Sequence, residues 1–424
     1  MNTLIQAVRG TREFYPEEMT VRRWLYSLIE EVSVSFGYQE YDGPFIEKID
    51  LYAAKSGEEL VKEQAFVFSD RGGELITLRP ELTLSLARMV AAKQNELVFP
   101  LRWWSFGPFW RYEKPQKGRT REFFQWNIDL IGVNTPEADA EMVAICATFL
   151  KHAGIKPEQI TIKINHRKLM EDKLAQAGIP LSMKNDVFHL IDRVDKLSAE
   201  EWNKAASKMG LEREQTTKLS LLLKNMDLWQ ESPELVRIFT VLERLGVRDY
   251  VKFDPRIIRG LDYYTGTVFE AWDVGGDGRA VLGGGHYDNL VEEVGGNPLT
   301  GVGFAMGDVM ISILLRKYGC IPEIKPFDDM TLVTVFDEEN MPASVALSAK
   351  LRDENLKVIC YPEIVKLQKQ LKYADRLGVR VVAVLGPDEI ASGSISIKNL
   401  QDRTQVTVPL EMAGSVIRGM LAPQ

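Results

Sequence analysis

Apolar residues recur every fourth position through Glu17–Phe36, where Trp24, Leu28, Val32 and Phe36 form one stripe and Gly37 supplies a stop. That spacing predicts an amphipathic helix. Short strand-like runs follow at Phe66–Phe68, Leu75–Leu78 and Leu101–Tyr112, with helical patterns over Tyr52–Lys62 and Glu81–Lys93. From Lys168 to Gly246 the pattern becomes helical throughout, as in KLMEDKLAQAG and SPELVRIFTVLERLG. Ser198 with Glu201 matches a capping box and Ser232-Pro233 a helix start. Strands resume at Ile257–Phe269 and Arg279–Gly283, before the turn GGGHYD. From Asp328 onward strand and helix alternate, which predicts a separate small α/β domain, with Pro322 and Pro326 in the linker.

The predicted organisation is therefore a strand-rich core over 1–167, a helical insertion over 168–248, a return to the core over 249–322 and an α/β domain over 328–424. A chain of 424 residues exceeds one ordinary core. Hydrophobic content of 45% and charged content of 26% are those of a soluble globular protein. No run of 18 apolar residues occurs, so no membrane-spanning helix is expected. The opening MNTLIQAVRGTREFYP lacks the apolar stretch of a secretory signal. Cys146, Cys320 and Cys360 are odd in number and scattered, which points to a reducing cytoplasm rather than a disulfide framework. Four histidines, none near a cysteine at ligand spacing, argue against structural zinc.

The formal net charge is −8, yet EKPQKGRTREFFQ (113–125) packs Lys114, Lys117, Arg119 and Arg121 together. A global negative charge does not forbid a local basic groove, because exposed charges are screened beyond roughly 8–10 Å. Reading Arg121–Ile131 as a strand puts Arg121, Phe123, Gln125, Asn127 and Asp129 on one face and Glu122, Phe124, Trp126, Ile128 and Leu130 on the other. The second face is mostly apolar and suits a core. The first is a row of cation, aromatic, amide and carboxylate, which suits a pocket floor as well as a solvated edge. Arg111 and Glu113 alternate upstream, and Lys114–Thr120 reads as the hairpin loop. Two further clusters stand out: TLRPELTLSLAR, with Arg79, Glu81 and Thr83 at a strand-to-helix junction, and RGLDYYTGTVFE (259–270). Taken alone, the first is also an ordinary helix start and the second an ordinary strand.

Together RGTREFYP, LRPELT, RYEKPQKGRTREFFQ, RGLDYYTGTVFE and KLQKQLKYADRLG resemble the class II aminoacyl-tRNA synthetases, and among them the histidyl-tRNA synthetase family. The resemblance covers nearly the whole chain. It implies an α/β (α+β) architecture: an antiparallel-sheet catalytic core, a helical insertion and a C-terminal α/β anticodon-binding domain. It also implies a homodimer with Gly37–Pro44 at the subunit interface, no membrane association, and L-histidine, ATP and histidine tRNA as partners. Mg²⁺ is expected with ATP, although no carboxylate pair stands out as its ligand. Arg259, Arg111 and Gln125 would be the catalytic residues. Glu81, Leu82, Thr83, Arg111, Gln125, Asp129, Arg259, Tyr263 and Tyr264 would hold histidine. Arg111, Glu113, Arg121, Phe123 and Arg259 would bind ATP, and Lys114, Gln116, Lys117 and Arg119 would approach the tRNA acceptor end. Lys366, Lys369, Lys372 and Arg376, spaced for one helical face, form either a second RNA footprint or a solvated surface.

Four positions depart from the family pattern. GVGFAMGDVMISILL puts Met310 where an arginine is expected and Val309 where an acid is expected, with Asp308 one place early. His286 replaces an arginine, and Asp129 a longer glutamate. These departures leave a second reading open: a non-catalytic, synthetase-like regulatory subunit of ATP phosphoribosyltransferase.

Overall fold

The computed structural model describes residues 5–53, 64–116, 118–258, 263–276 and 279–422. The chain forms two compact units, Met1–Glu13 with Arg23–Pro322, and Phe14–Arg22 with Glu323–Gln424. In chain order the strands of the first unit are β1 (Gln39–Glu40), β2 (Ile46–Lys48), β3 (Phe66–Ser69), β4 (Leu75–Leu78), β5 (Leu101–Trp110), β6 (Glu122–Ile131), β7 (Ile160–His166), β8 (Val251–Phe253), β9 (Tyr264–Asp273), β10 (Ala280–Tyr287) and β11 (Gly301–Gly307). Among the described residues eight of them make one sheet, ordered β1-β5-β6-β11-β10-β9-β7-β8, and β2-β4-β3 make a small second one. The large sheet is antiparallel except at its two ends, where β1 joins β5 and β8 joins β7 in parallel.

One face of this sheet is sealed by the helix Pro136–His152. Thr135 caps it, accepting from the Ala138 amide, and Pro136 opens its first turn. Trp126, Ile128, Leu130, Phe269 and Phe304 point from the strands into the same cluster as Met142, Cys146 and Phe149 of the helix. Each such side chain, fully buried, contributes roughly 1.5–3 kcal/mol of transfer free energy, so this face fixes the register of the hairpin β5–β6. Cys146 lies inside that cluster, and no disulfide forms, all three cysteines being free thiols. The opposite face of the sheet is where Gln125, Asn127 and Asp129 fall.

The expected elements recur with shifted edges. The first helix is Pro16–Ser35, and Ser198 and Glu201 form their capping box. Between β7 and β8 the chain is helical, from Arg167–Gln176 to Pro233–Arg244, with no named strand. Of the helix expected over Tyr52–Lys62, only Asp50–Ala53 is described; residues 54–63 lie outside the described residues. The strand expected from Ile257 begins instead at Tyr264. The reason is tertiary: the Asn165 amide donates to the carbonyls of Pro255 and Ile257 (3.2 and 3.0 Å), which are therefore drawn away from a ladder.

The second unit contains β12 (Met330–Val333), β13 (Lys357–Cys360), β14 (Val381–Val384), β15 (Ser394–Asn399) and β16 (Gln405–Pro409), ordered β13-β12-β14-β15-β16. β12 is parallel to β13 and β14, while β15 and β16 run antiparallel. A short helix, Pro387–Ser392, was not expected from the pattern; Glu389 reaches back to accept from the Gly386 amide at 3.1 Å. The basic residues of the KLQKQLKYADRLG segment lie on the helix Leu367–Leu377, at its N-cap, or within it. Its buried Gln370 faces inward and bonds Val335 through both its amide oxygen and nitrogen.

Candidate active site

The other face of the large sheet, covered at the Leu101–Ile131 end by the second apolar cluster, is a trough with a glycine floor. Cross-strand pairs set its rows. Gly107, Gln125 and Gly307 lie side by side across β5, β6 and β11. Asp129, Gly303 and Gly285 lie side by side across β6, β11 and β10. Glycine here means room: no atom lies within 4 Å of where a Cβ on Gly307 would sit, whereas a Cβ on Gly303 would strike the Asp129 carboxylate.

Asp129 lies at the deep end. It is buried, and burial pushes its carboxyl up to about 7 against an ordinary 3.8. The Tyr287 hydroxyl donates to its Oδ1 at 2.9 Å and partly offsets that rise; the charge of nearby Glu81 adds to it. The Tyr41 hydroxyl is buried, feels the charges of Asp129 and Glu81, and has no hydrogen-bond partner among the described residues. An unmet buried hydroxyl beside two carboxyl groups is hydrogen-bonding capacity that a polar ligand can fill.

Glu81 does two jobs at once. Its carboxylate accepts from the amides of Thr83 and Leu84 (2.7 and 3.2 Å), so it starts the helix Thr83–Lys93. The helix-start reading of LRPELT is thus correct as structure. Glu81 is also half-buried, and its loss of solvent raises its pKa, with those amides and the Arg111 charge working the other way. Leu82 is buried at the helix N-cap. Tyr263 completes the cluster: burial, then Tyr264, then the Glu81 charge raise its pKa well above ordinary, and its phenol also bonds Thr83. The two tyrosine rings meet edge to face, centroids 4.8 Å apart, in one apolar cluster rather than on opposite faces. Tyr263 is linked to Asp129 of the hairpin by way of Tyr287, whose ring it meets edge to face. Arg259 itself lies outside the described residues, as does Lys117.

Toward the shallow end the aromatic floor continues. Phe123 stacks on Phe109 (centroids 5.9 Å, 28° between planes), and the Arg111 guanidinium carbon is 5.2 Å from the Phe123 centroid. Arg111 is half-buried, and its loss of solvent lowers its pKa; Glu113 and Glu81 are its opposing charges, and its Nε donates to the Pro80 carbonyl at 2.9 Å. Arg121 lies over the Tyr112 ring at 4.1 Å and donates to the Glu113 carbonyl. In the loop, Gln116 and Arg119 exchange backbone hydrogen bonds, and Arg119 pairs with the Glu113 carboxylate at 2.9 Å. Lys114 lies on the same loop.

Four residues given no role by the sequence support this site. Tyr41 and Tyr287 flank Asp129. Arg79 is fully buried beneath the aromatic floor, between Phe45 and Phe109, with its guanidinium bonded to Asp42, Gly43 and Pro108. Arg12 reaches Asp308 (3.1 and 2.8 Å), and Asp308 Oδ1 also accepts from the Phe124 amide at 2.9 Å. Asp308 thus anchors a backbone and does not project toward the hollow as a displaced acid would. No such chain of contacts is predictable from spacing, since its members lie hundreds of residues apart.

Over residues 10–309 the chain matches the sequence model of the family described as "Histidyl-tRNA synthetase", and over 329–420 that of "Anticodon binding domain". It is 34% identical over 429 residues to a histidine–tRNA ligase of Leptospira biflexa, covering 98% of this chain and 97% of the relative. Among solved structures, a histidyl-tRNA synthetase from Nostoc sp. PCC 7120 superposes with a TM-score of 0.84 at 26% identity, over 99% of this chain and 100% of that one. A Bacillus halodurans protein described as an ATP phosphoribosyltransferase regulatory subunit/histidyl-tRNA synthetase is similar in fold, at a TM-score of 0.73, 21% identity and coverage of 88% of this chain and 97% of that one. The expected architecture is thereby met, with an antiparallel-rich catalytic sheet and an anticodon-binding domain. The chain belongs to the histidyl-tRNA synthetase family, whose curated members are histidine–tRNA ligases.

Proposed function

We propose that the protein activates L-histidine with ATP and transfers it to its tRNA. In the first step a carboxylate oxygen of histidine attacks the α-phosphorus of ATP. The bond from that phosphorus to the bridging oxygen breaks, and pyrophosphate leaves with the electron pair. In the second, a hydroxyl of the terminal ribose of the tRNA attacks the carbonyl carbon of histidyl-adenylate, loses its proton, and AMP departs. No covalent enzyme intermediate is required, so catalysis rests on positioning and on charges preset where charge develops.

The residue roles follow from their chemistry. Asp129, with Tyr287 behind it, accepts from an imidazole N–H, and Tyr264 and Tyr263 border the ring. Glu81 and Thr83 take the amino group, and Leu82 lines the wall. Gln125 faces the carboxylate undergoing attack. Arg111 and Arg259 offset the negative charge on the α-phosphate, Phe123 carries the adenine, and Glu113 with Arg121 border it. Lys114, Gln116, Lys117 and Arg119 meet the acceptor end, and the helix carrying Lys369, Lys372 and Arg376 offers a second basic surface. Mg²⁺ would travel with the ATP phosphates. Among the described residues no group of three His, Cys, Asp or Glu side chains could hold a metal ion, and the roles above stand without one. A homodimer is supported by the exposed apolar side chains Phe45, Ile46, Val67, Phe68 and Leu75 on the β2–β4 sheet, next to Gly37–Pro44. No described helix is long and apolar enough to cross a membrane.

The single observation that carries this reading is the buried Asp129–Tyr287 pair beside Tyr41, Glu81 and Tyr263. A pocket of that polarity leaves costly unpaired groups when an analogue lacks the imidazole, which disfavours it by roughly 10⁴-fold. The test is histidine-dependent exchange of pyrophosphate into ATP, followed by charging of histidine tRNA. Binding of histidine without adenylate formation would refute it and would favour a regulatory subunit.

A further inference from the structure

Three segments meet at the open end of the trough. Gly118, at φ +79°, lies in the β5–β6 loop, and the Met310 thioether occupies the space into which its Cβ would project. The Arg279 guanidinium is 3.6 Å from that same point, and its Nη2 donates to the Gln116 side-chain oxygen at 3.0 Å. Met310 comes from the first turn of the helix Asp308–Lys317, and Arg279 immediately precedes β10. Next to this junction is the hollow above Gly307, flanked by Gln125.

The helix that borders this hollow supplies no cation to it. Asp308 is engaged by Arg12 and the Phe124 amide, Val309 and Met310 are apolar, and the first basic side chain is Arg316 in the last turn. A nucleotide with its base on Phe123 and its α-phosphate near Arg111 needs positive charge for the rest of its phosphates, and that charge has to come from another element. We infer that Arg279 binds the terminal phosphates of ATP, in place of a cation on the helix, and that Gln116 holds its guanidinium ready for them. The inference rests on the nucleotide reading given above. A guanidinium suits the task because its planar fork can pair with two phosphoryl oxygens at once.

The test is equilibrium binding of ATP and of AMP to the full-length protein, wild type against Arg279→Ala and Arg279→Gln. Loss of one charge-assisted contact at a partly exposed site should weaken ATP binding about tenfold. AMP, which lacks the terminal phosphates, should bind within about twofold of wild type, as should histidine. Adding Met310→Arg to Arg279→Ala should recover most of the ATP affinity, since residue 310 adjoins the same point. Unchanged ATP binding in both single variants overturns the inference, and so does an equal loss for ATP and AMP. Pyrophosphate exchange by the wild type is measured alongside. If exchange is absent but Arg279→Ala still loses ATP selectively, the activity assignment fails and the phosphate contact stands.

Discussion

The Tyr287 hydroxyl donates to Asp129 across 2.9 Å, joining β10 to β6 over the bare backbone of Gly303. The bond stabilises the charged form of a carboxyl that burial would otherwise keep protonated to a still higher pH. Removing it in Tyr287→Phe should move the carboxyl's pKa upward. The histidine KM should rise about tenfold, the worth of one hydrogen bond to a charged group. The pH at which histidine binding improves should move up with it. A KM profile from pH 6 to 9 reads both; an unshifted profile would separate Tyr287 from Asp129 ionisation.

Asp129 also makes the empty protein pH-sensitive. Its carboxyl is pushed up to about 7 in the fold, from an ordinary 3.8. The fold therefore binds that proton more tightly than the unfolded chain does. The resulting contribution to stability is complete below about pH 4 and is lost as the pH rises toward 7. A shift of this size is worth on the order of 4 kcal/mol at most. Asp129→Asn, which cannot ionise, should lack that slope. Urea midpoints of both proteins without histidine, at pH 5 and pH 8, give the comparison.

His286 should show a milder dependence. Burial opposes its charged form, but the Asp139 hydrogen bond at 2.8 Å and the charges of Asp139 and Asp288 outweigh burial and raise its pKa. Stability from this pair is full below the ordinary histidine value of about 6.5 and fades as the pH rises through the raised value. His286→Gln should therefore be least stable, relative to wild type, on the acid side. A gap between the two proteins that widens with rising pH would contradict the pairing.

Asp308 holds Arg12 and the Phe124 amide together, with its own side chain only 6% exposed. Asp308→Ala removes the one carboxylate that a partly buried amide and a partly buried guanidinium share. It should cost about 2–3 kcal/mol in chemical unfolding. Arg12→Ala should cost less, because Asp308 keeps its backbone donor.

Arg79 is wholly enclosed, its guanidinium carbon 4.6 and 4.7 Å from the Phe45 and Phe109 centroids. Lysine cannot reproduce the planar stacking or the three acceptors it serves. Arg79→Lys should lower stability by roughly 2–4 kcal/mol and raise the ATP KM more than the histidine KM, because Phe123 rests on Phe109.

Much of this was legible from alternation. The polar file of Arg121, Phe123, Gln125, Asn127 and Asp129 could be assigned to a face because a strand leaves only two, and the buried file of Trp126, Ile128 and Leu130 fixes which. Long helices with capping signals, such as Ser198 with Glu201, were equally readable. What escaped was everything set by tertiary pairing. Ile257 sits in an apolar run but its carbonyl is claimed by Asn165, ninety-two residues away. Tyr41 and Tyr287 carry no local signature; they matter because sheet order brings them to Asp129. Arg79 reads only as part of a strand-to-helix junction and is entirely enclosed. Asp308 reads as a displaced acid and proves to be an anchor.

The Arg12–Asp308 bond spans 296 positions of sequence. During synthesis the arginine is made long before its partner. At roughly 5–20 residues per second the early segment waits about 15–60 s for its counterpart. The catalytic sheet therefore stays incomplete until β11 has been made. That strand and the residue that ties down Arg12 are made together.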